Sequence, residues 1–265
     1  MAGEIVVRER QCGERRDIGR DDELENHAQP TPGTCHLPII RRVYTRRVFP
    51  VSDVIPSRTT PFVTAGLIAL NVTVFLYQLM LPAVGLELFV GTYAVVPARF
   101  WWPSLLTSQF LHGGWMHILW NMVYLWIFGD NVEDRLGHGR YLAFYLGAGA
   151  AAAVLQLLIN PFSGLPMLGA SGAIAGVMGA YFVLYPHSRV LTAIFVVIFF
   201  DLVEIPAIFF LGIWFLLQLV SGVGSLGVSN AAAGGTAFWA HIGGFVVGVS
   251  IGLVLRSRDR RWDSP

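Results

Sequence analysis

One serine lies in a run of residues with almost no side chains, at the start of a long apolar segment. The run reads GASGAIAG at residues 169–176, and its hydroxyl belongs to Ser171. A serine hydroxyl becomes a nucleophile for acyl transfer when a neighbouring base takes its proton. The Gly-x-Ser-x-Gly elbow of many hydrolases is not present, because Ala173 breaks it. Gly172 and Gly176 also fit a helix-packing seam with an incidental serine.

A histidine near the end of the chain can supply the base. His241 opens the pattern His-x-x-Gly-x-x-x-Gly, in which Gly244 and Gly248 lie on one helical face. Small residues let two membrane helices approach closely, so this face can pack against Gly172. Because His241 lies about one turn before Gly244, we expect the seam to bring it within hydrogen-bond reach of Ser171. The packing seam and the nucleophile are therefore compatible.

Acyl transfer also needs hydrogen-bond donors for the charge that develops on the carbonyl oxygen. His117 and Asn121 are four residues apart, on one helical face, and both side chains can donate. The backbone N–H of Ser171, near a helix start, is a third candidate donor. The acidic residues in the segment 130–134 are expected at the opposite membrane face. The sequence therefore predicts a Ser–His dyad without an acidic third member.

Membrane helices are the elements that must position these residues. The chain has 265 residues, of which 54% are hydrophobic and only 13% charged, about half the charged fraction of a soluble domain. The fold class predicted is all-α, a polytopic bundle of six transmembrane helices. Apolar runs of spanning length occur at residues 61–81, 108–129, 141–160, 169–185, 205–220 and 237–255. The five predicted connections are residues 82–107, 130–140 (short and charged), 161–168, 186–204 (interfacial) and 221–236 (rich in Gly, Ser and Ala).

The charge distribution divides the chain into three predicted parts. Residues 1–60 form a polar, flexible arm, residues 61–255 the six-helix domain, and residues 256–265 a short basic tail. Arginines are concentrated in the arm, the second and fourth loops and the tail. The positive-inside rule then places both termini in the cytoplasm, and we expect the membrane to be a bacterial inner membrane. Ser171 and His241 consequently lie near the outer starts of their helices.

Charge and cysteine content limit the cofactors and partners. The net charge of +1 gives no reason to expect nucleic-acid binding. Cys12 and Cys35, even with His27 and His36 nearby, lack the Cys-x-x-Cys spacing of a zinc site. We predict no metal and no other cofactor.

Taken together, the motifs resemble the rhomboid intramembrane serine proteases, in their short six-span bacterial-type form. The resemblance covers about residues 60–255. The matching elements are His112, His117-x-x-x-Asn121, Glu133-x-Arg135, Gly169-Ala170-Ser171-Gly172 and Ala240-His241-x-x-Gly244-x-x-x-Gly248.

The resemblance implies an endopeptidase that hydrolyses peptide bonds in or near transmembrane segments of membrane proteins. Its partners would be transmembrane protein substrates and the lipid bilayer. Ser171 would be the nucleophile, with His241 as general base and then acid. His117 and Asn121 would surround the oxyanion.

Further implications concern the surrounding elements. Glu133 and Arg135 would be structural and pin the second loop, and the fifth span with residues 221–236 would form a mobile gate and cap. Some relatives have a Tyr one turn after the serine that stacks on the histidine. This chain has Ala175 there, which is expected to loosen the support of His241.

Three alternatives stay open. A transporter also places polar groups in broken helices, but it predicts internal repeats, which the sequence lacks. A haem or metal protein would use His112, His117 and His241, although the first two are five residues apart, a poor spacing for one metal on a helix. A catalytically inactive rhomboid-like binding protein is the third, although Ser171 and His241 are both present.

Overall fold

The computed structural model describes Asp53, Ile55 and residues 58–196, 199–226 and 237–262, with side chains except those of residues 193–202 and 258–262. Helices dominate these ranges. They are α1 (Phe62–Met80), α2 (Ala83–Tyr93), α3 (Ser104–Thr107), α4 (Trp115–Leu136), α5 (His138–Ile159), α6 (Ser171–Leu184), α7 (Ala207–Gly224) and α8 (Phe238–Trp262). Between α6 and α7 lies an antiparallel hairpin of β1 (Arg189–Val196) and β2 (Phe199–Pro206).

Several helices have the length and composition of membrane spans. Among the described residues, α1, α5, α7 and α8 are long and apolar enough to cross a bilayer. Helix α6 is apolar but has only 14 residues, and α4 has 22 residues with charged side chains near its end. The predicted class is confirmed, since the chain is a mostly helical, multi-pass membrane protein. The count of six spans stays a prediction.

The region around the second predicted span differs from expectation. Residues 82–107 are not a plain connection, because they contain α2, a 3-10 turn (Pro97–Arg99) and α3. The span predicted from residue 108 begins as a helix only at Trp115, after a second 3-10 turn (Ser108–Phe110). The adjacent Gly113 and Gly114 explain the late start, since glycine disfavours the helical backbone.

The prediction of a charged loop at residues 130–140 is wrong. Helix α4 continues to Leu136 and α5 begins at His138, so a single residue connects them. That residue is Gly137, whose φ of 77° lies in the left-handed region that favours glycine. The charged side chains belong to the last turns of α4, where acidic side chains have protein hydrogen-bond partners.

Glu133 binds the start of α1. Its side chain is fully buried and accepts hydrogen bonds from the N–H of Val63 (2.9 Å), the N–H of Thr64 (2.8 Å) and the Thr64 hydroxyl (2.7 Å). Pro61, which precedes α1, offers no capping side chain, so a residue of α4 caps α1 instead. His138 Nδ1 lies 2.6 Å from the same carboxylate. Glu133 thus joins three helix ends and does not pin a loop.

Replacing Glu133 by Gln is expected to lower the free energy of unfolding by about 2 kcal/mol or more. The amide loses the charge-assisted bonds and leaves a buried donor of α1 without an acceptor. Thermal unfolding in detergent measures the effect. Glu87→Gln on α2, where the side chain is exposed, is the matched control. Equal melting temperatures for the two variants would contradict the capping role.

Asp53 connects the segment before α1 to the far ends of α4 and α6. Its carboxylate accepts hydrogen bonds from Asn131 Nδ2 at 2.8 Å and from the Tyr181 hydroxyl, and its backbone bridges Val190. Burial and the nearby Asp130 carboxylate raise the pKa of Asp53 to about 6, although the hydrogen bonds oppose the shift. The chain therefore contacts the helix domain before α1 begins.

The stretch predicted as an interfacial loop, residues 186–204, contains most of the hairpin. Its register pairs Arg189 with Pro206 and Val196 with Phe199. The run is rich in β-branched and aromatic residues, which favour strands. An exposed ion pair joins Arg189 Nη1 to Glu204 Oε2 at 3.1 Å. The mostly helical fold thus includes one two-stranded sheet in the described part of the chain.

Other predictions fall partly outside the described residues. Most of the polar arm, including Cys12 and Cys35, lies there, as do residues 227–236 of the loop after the fifth span and the last residues of the tail. The start of that loop was predicted too early, since α7 continues to Gly224.

Helices α6 and α8 pack backbone against backbone. A Cβ atom added at Gly244 would overlap the carbonyl oxygen of Gly172, and one at Gly248 would overlap that of Gly176. Helix α6 also packs closely on α5, because a Cβ at Gly176 would lie 2.6 Å from the Ala148 Cβ. The contacts fix the relative height of α6 and α8.

Replacing Gly244 by Ala is expected to lower the free energy of unfolding by about 1–2 kcal/mol. Alanine favours a helix over glycine by about 1 kcal/mol, but overpacking against a backbone carbonyl costs about 1–3 kcal/mol. Gly147→Ala on α5 is the control, because a Cβ there meets nothing within 4 Å, and it should stabilise. Thermal unfolding distinguishes the two, and stabilisation by both would contradict the close contact.

Candidate active site

Ser171 is the first residue of α6, and the turn before it requires glycine. Gly169 has a φ of 125°, and its N–H donates to the Ser108 carbonyl at 2.9 Å. A Cβ at Gly169 would lie 2.7 Å from His117 Nε2. The fully buried Ala170 follows and precedes the helix. This turn places the Ser171 side chain at the open start of α6.

His241 lies beside Ser171. The Ser171 Oγ and the His241 Nε2 are 2.8 Å apart. His241 is in the first turn of α8, one turn before Gly244, so it emerges next to the contact between α6 and α8. At this distance an imidazole can take the proton of a serine hydroxyl.

The contacts on the other side of His241 were not predicted from the sequence. Gln218 Oε1 lies 2.8 Å from His241 Nδ1, and the Trp214 ring lies 5.9 Å from the imidazole, between centroids. Both residues belong to α7. The expectation that Ala175 leaves the His241 ring loosely supported is wrong, because α7 supplies contacts to this ring instead. An amide in an apolar helix needs a hydrogen-bond partner to offset its desolvation. The presence of Gln218 in an otherwise apolar segment was therefore the signal in the sequence that this residue has a polar partner.

His117 and Asn121, on α4, lie near the start of α6. The N–H of Gly113 donates to His117 Nδ1 at 3.3 Å, so the neutral ring carries its proton on Nε2, beside Gly169. Asn121 is buried, and its Nδ2 has no hydrogen-bond partner among the described residues. The first N–H groups of α6 also lack partners within the helix. Several unengaged donors therefore lie near the Ser171 hydroxyl.

His112 lies behind His117. Its ring is buried and meets the His117 ring edge to face, with the centroids 5.1 Å apart. Its backbone is held by Gln78 of α1, which accepts from its N–H at 3.0 Å and donates to its carbonyl at 3.2 Å. Gln78 thus holds the stretch that precedes α4.

One cavity of about 670 Å³ contains the side chains of Ser171, His241, His117 and Asn121. The rest of its lining is mostly apolar and aromatic, and it includes Met116, Trp120, Tyr124, Ile174, Met178 and Trp214. A cavity of this size and lining suits a small organic ligand or a few residues of an extended peptide.

Two further predictions concern Arg135 and the alternative that the protein holds a metal or haem. Arg135 lies in the last turn of α4, far along the helix from His117. Within residues 58–196, 199–226 and 237–262, the structure contains no group of three His, Cys, Asp or Glu side chains that could hold a metal ion.

The chain is similar to several known proteins. It is 31% identical over 173 residues to Rhomboid protein 1, mitochondrial, of Saccharomyces cerevisiae, covering 60% of this chain and 44% of the yeast protein. It is 42% identical over 80 residues to Rhomboid protease GluP of Bacillus subtilis, covering 30% and 15%. RHOMBOID-like protein 5 of Arabidopsis thaliana is 28% identical over 157 residues, covering 59% and 45%.

A family model describes most of the chain. The Rhomboid domain matches residues 98–258, which include every residue around the cavity described above. The chain spans less than half the length of each of the three relatives. Because the domain match covers more than half of its residues, the chain belongs to the rhomboid family.

Proposed function

We propose that the protein is an intramembrane serine endopeptidase that cleaves membrane proteins in or near their transmembrane segments. The observation that carries the proposal is the 2.8 Å contact between Ser171 Oγ and His241 Nε2. It lies in a largely apolar cavity of a multi-pass membrane protein. Membership of a family that includes the Rhomboid protease GluP supports the same activity.

The proposed chemistry uses these two side chains as a dyad. Ser171 Oγ attacks the scissile carbonyl carbon while His241 Nε2 takes the hydroxyl proton. The imidazolium then gives this proton to the leaving amine, and an acyl-enzyme remains. A water molecule, deprotonated by His241, attacks the ester and releases the second product, and Ser171 regains its proton.

The oxyanion of each tetrahedral intermediate needs donors that are already in place. We assign this role to Asn121 Nδ2, the Nε2–H of His117 and the backbone N–H of Ser171. The buried, unpaired amide of Asn121 supports the assignment, because a buried donor without a partner is costly.

We also propose an orientation and a division of the chain. The end of the bundle near Arg58, Arg135 and Arg189 would face the cytoplasm of a bacterial cell, so that Ser171 lies near the outer face. Both termini are then cytoplasmic. Residues 1–60 would be a polar arm, 61–255 the protease domain and 256–265 a basic tail.

The position of Ser171 near the outer face determines which substrates are accepted. A helix that enters from the lipid has its amides bonded internally, so no carbonyl is free for attack. Unwinding it in hydrocarbon costs several kcal/mol per exposed backbone group. The cost is lower near the outer, wetter face and where Gly or Pro weakens the helix. We therefore expect cleavage near the outer end of a substrate span, next to small residues, with Gly or Pro downstream.

Replacing those substrate residues by Leu is expected to slow cleavage about 5-fold for a Gly and about 100-fold for a Pro, from their helix propensities of about 1 and 3 kcal/mol. Initial rates with single-span substrates in liposomes measure the effect. The same substitutions near the cytoplasmic end of the span are the control. Equal cleavage of a uniformly Leu-rich helix would contradict both the mechanism and the orientation.

A direct test uses a fluorophosphonate probe together with a panel of single-span substrates. The probe should label Ser171, labelling should be lost in His241→Ala, and the substrates should be cut at one mappable position. Metal chelators should leave the rate unchanged. Absence of both labelling and cleavage would favour an inactive rhomboid-like binding protein or a transporter.

A further inference from the structure

We propose that Gln218 is a positioning residue for His241 and that it acts from the helix α7. The proposal rests on the proposed function, since the orientation of His241 matters only if this residue is the base. The sequence analysis predicts a gate role for this span as a whole and assigns no role to any single residue of α7.

The hydrogen bonds of His241 determine which of its ring nitrogens carries the proton. Both ring nitrogens are engaged, Nδ1 with Gln218 Oε1 and Nε2 with Ser171 Oγ, each at 2.8 Å. A neutral imidazole has one N–H and one lone pair. With the proton on Nδ1, the ring donates to Gln218 and its Nε2 lone pair faces the serine hydroxyl. The other tautomer would direct an N–H at Ser171 and remove the base.

The partner of His241 is a neutral amide, where many serine hydrolases have a carboxylate. The described residues lining the cavity include three titratable side chains, His117, Tyr124 and His241, and no Asp or Glu. The sequence of α7 contains no charged residue either. Gln218 can therefore select the tautomer and orient the ring, but it cannot neutralise the imidazolium as a carboxylate does.

The location of Gln218 adds a structural consequence. Trp214, which lies against the same imidazole, is four residues earlier and so on the same face of α7. The opposite face points outward, with exposed residues such as Ile213, Leu217 and Val220. Of the four candidate spans, α7 has the smallest buried share, 17%. The least buried of the four candidate spans thus holds the base, and His241 keeps this hydrogen bond only while α7 stays against α8.

The test compares Gln218→Met, which keeps the length but removes the acceptor, with Gln218→Glu, which keeps an acceptor. Leu217→Met, on the outward face, is the matched control, and Ser171→Ala is run alongside. The readouts are kcat, KM and the pH profile of kcat with a single-span substrate in liposomes, together with the melting temperature.

We expect Gln218→Met to lower kcat about 10–100-fold, by analogy with the loss when a metal-binding histidine loses its hydrogen-bond partner, with KM and melting temperature unchanged. Gln218→Glu should recover most of kcat. It should also move the acid limb of the profile upward by about one pH unit or more, because a carboxylate favours the imidazolium. Leu217→Met should behave as wild type.

Two results would overturn the proposal. One is a wild-type kcat and pH profile in Gln218→Met. The other is a joint loss of kcat and melting temperature in Gln218→Met that Gln218→Glu fails to restore, which indicates packing alone. Either result, with Ser171→Ala inactive, leaves the proposed protease function intact. Cleavage by Ser171→Ala would instead remove the proposed function and this inference with it.

Discussion

Replacing Ser171 or His241 by Ala is expected to lower the cleavage rate by about 10⁴-fold or more, to the detection limit. Each variant removes one partner of the 2.8 Å contact, and groups that act as one unit lose nearly all activity when either is removed. The double variant should therefore be no slower than either single one. Initial rates with a fluorogenic single-span substrate measure all three.

The controls for this prediction use the same residue types elsewhere. Ser250→Ala removes a hydroxyl that donates to a backbone carbonyl of its own helix α8, and His187→Ala removes an exposed imidazole after α6. Both should keep the wild-type rate. Melting temperatures of all variants should agree within a few degrees. A Ser171→Ala variant that retains a tenth of the rate would show that another group is the nucleophile.

Replacing Asn121 by Ala is expected to lower kcat about 10²–10³-fold and to change KM little. This is the usual cost of losing one oxyanion donor, which acts on the transition state and not on the bound substrate. The fluorophosphonate probe should still label Ser171, because the dyad is untouched. Steady-state kinetics and probe labelling together separate this graded loss from the complete loss in Ser171→Ala.

Asn160→Ala, at the end of α5 and outside the cavity, is the matched control and should have wild-type kinetics. If Asn121→Ala raised KM as much as it lowered kcat, or lowered the melting temperature by many degrees, its amide would have a packing role.

The sequence predicted the residues that lie around the cavity because each carries a local signal. Ser171 follows a glycine turn at a helix start, and His241 precedes glycines at a four-residue spacing. Small residues at that spacing specify close helix contact, so two residues 70 positions apart could be expected to meet. Asn121 was found in the same way, from its spacing to His117.

The parts that were missed depend on contacts that no local pattern encodes. The loop predicted at residues 130–140 rests on their charge, which usually indicates exposure, yet Glu133 is buried against the start of α1. Gln218 was missed because a single amide in an apolar helix has no spacing to read. The hairpin was missed because an apolar run rich in β-branched residues does not distinguish a strand from an interfacial segment.

The cap that Glu133 provides for α1 also forms with a delay while the chain is being synthesised. The N–H of Val63 and its acceptor are separated by 70 residues of chain. A ribosome adds about 5–20 residues per second, so roughly 4–14 s pass between the synthesis of the donor and that of the carboxylate. During that interval the N–H groups of Val63 and Thr64 lack the carboxylate that accepts from them in the folded protein. The start of the first helix is therefore completed only after the chain has been made as far as the last turns of α4.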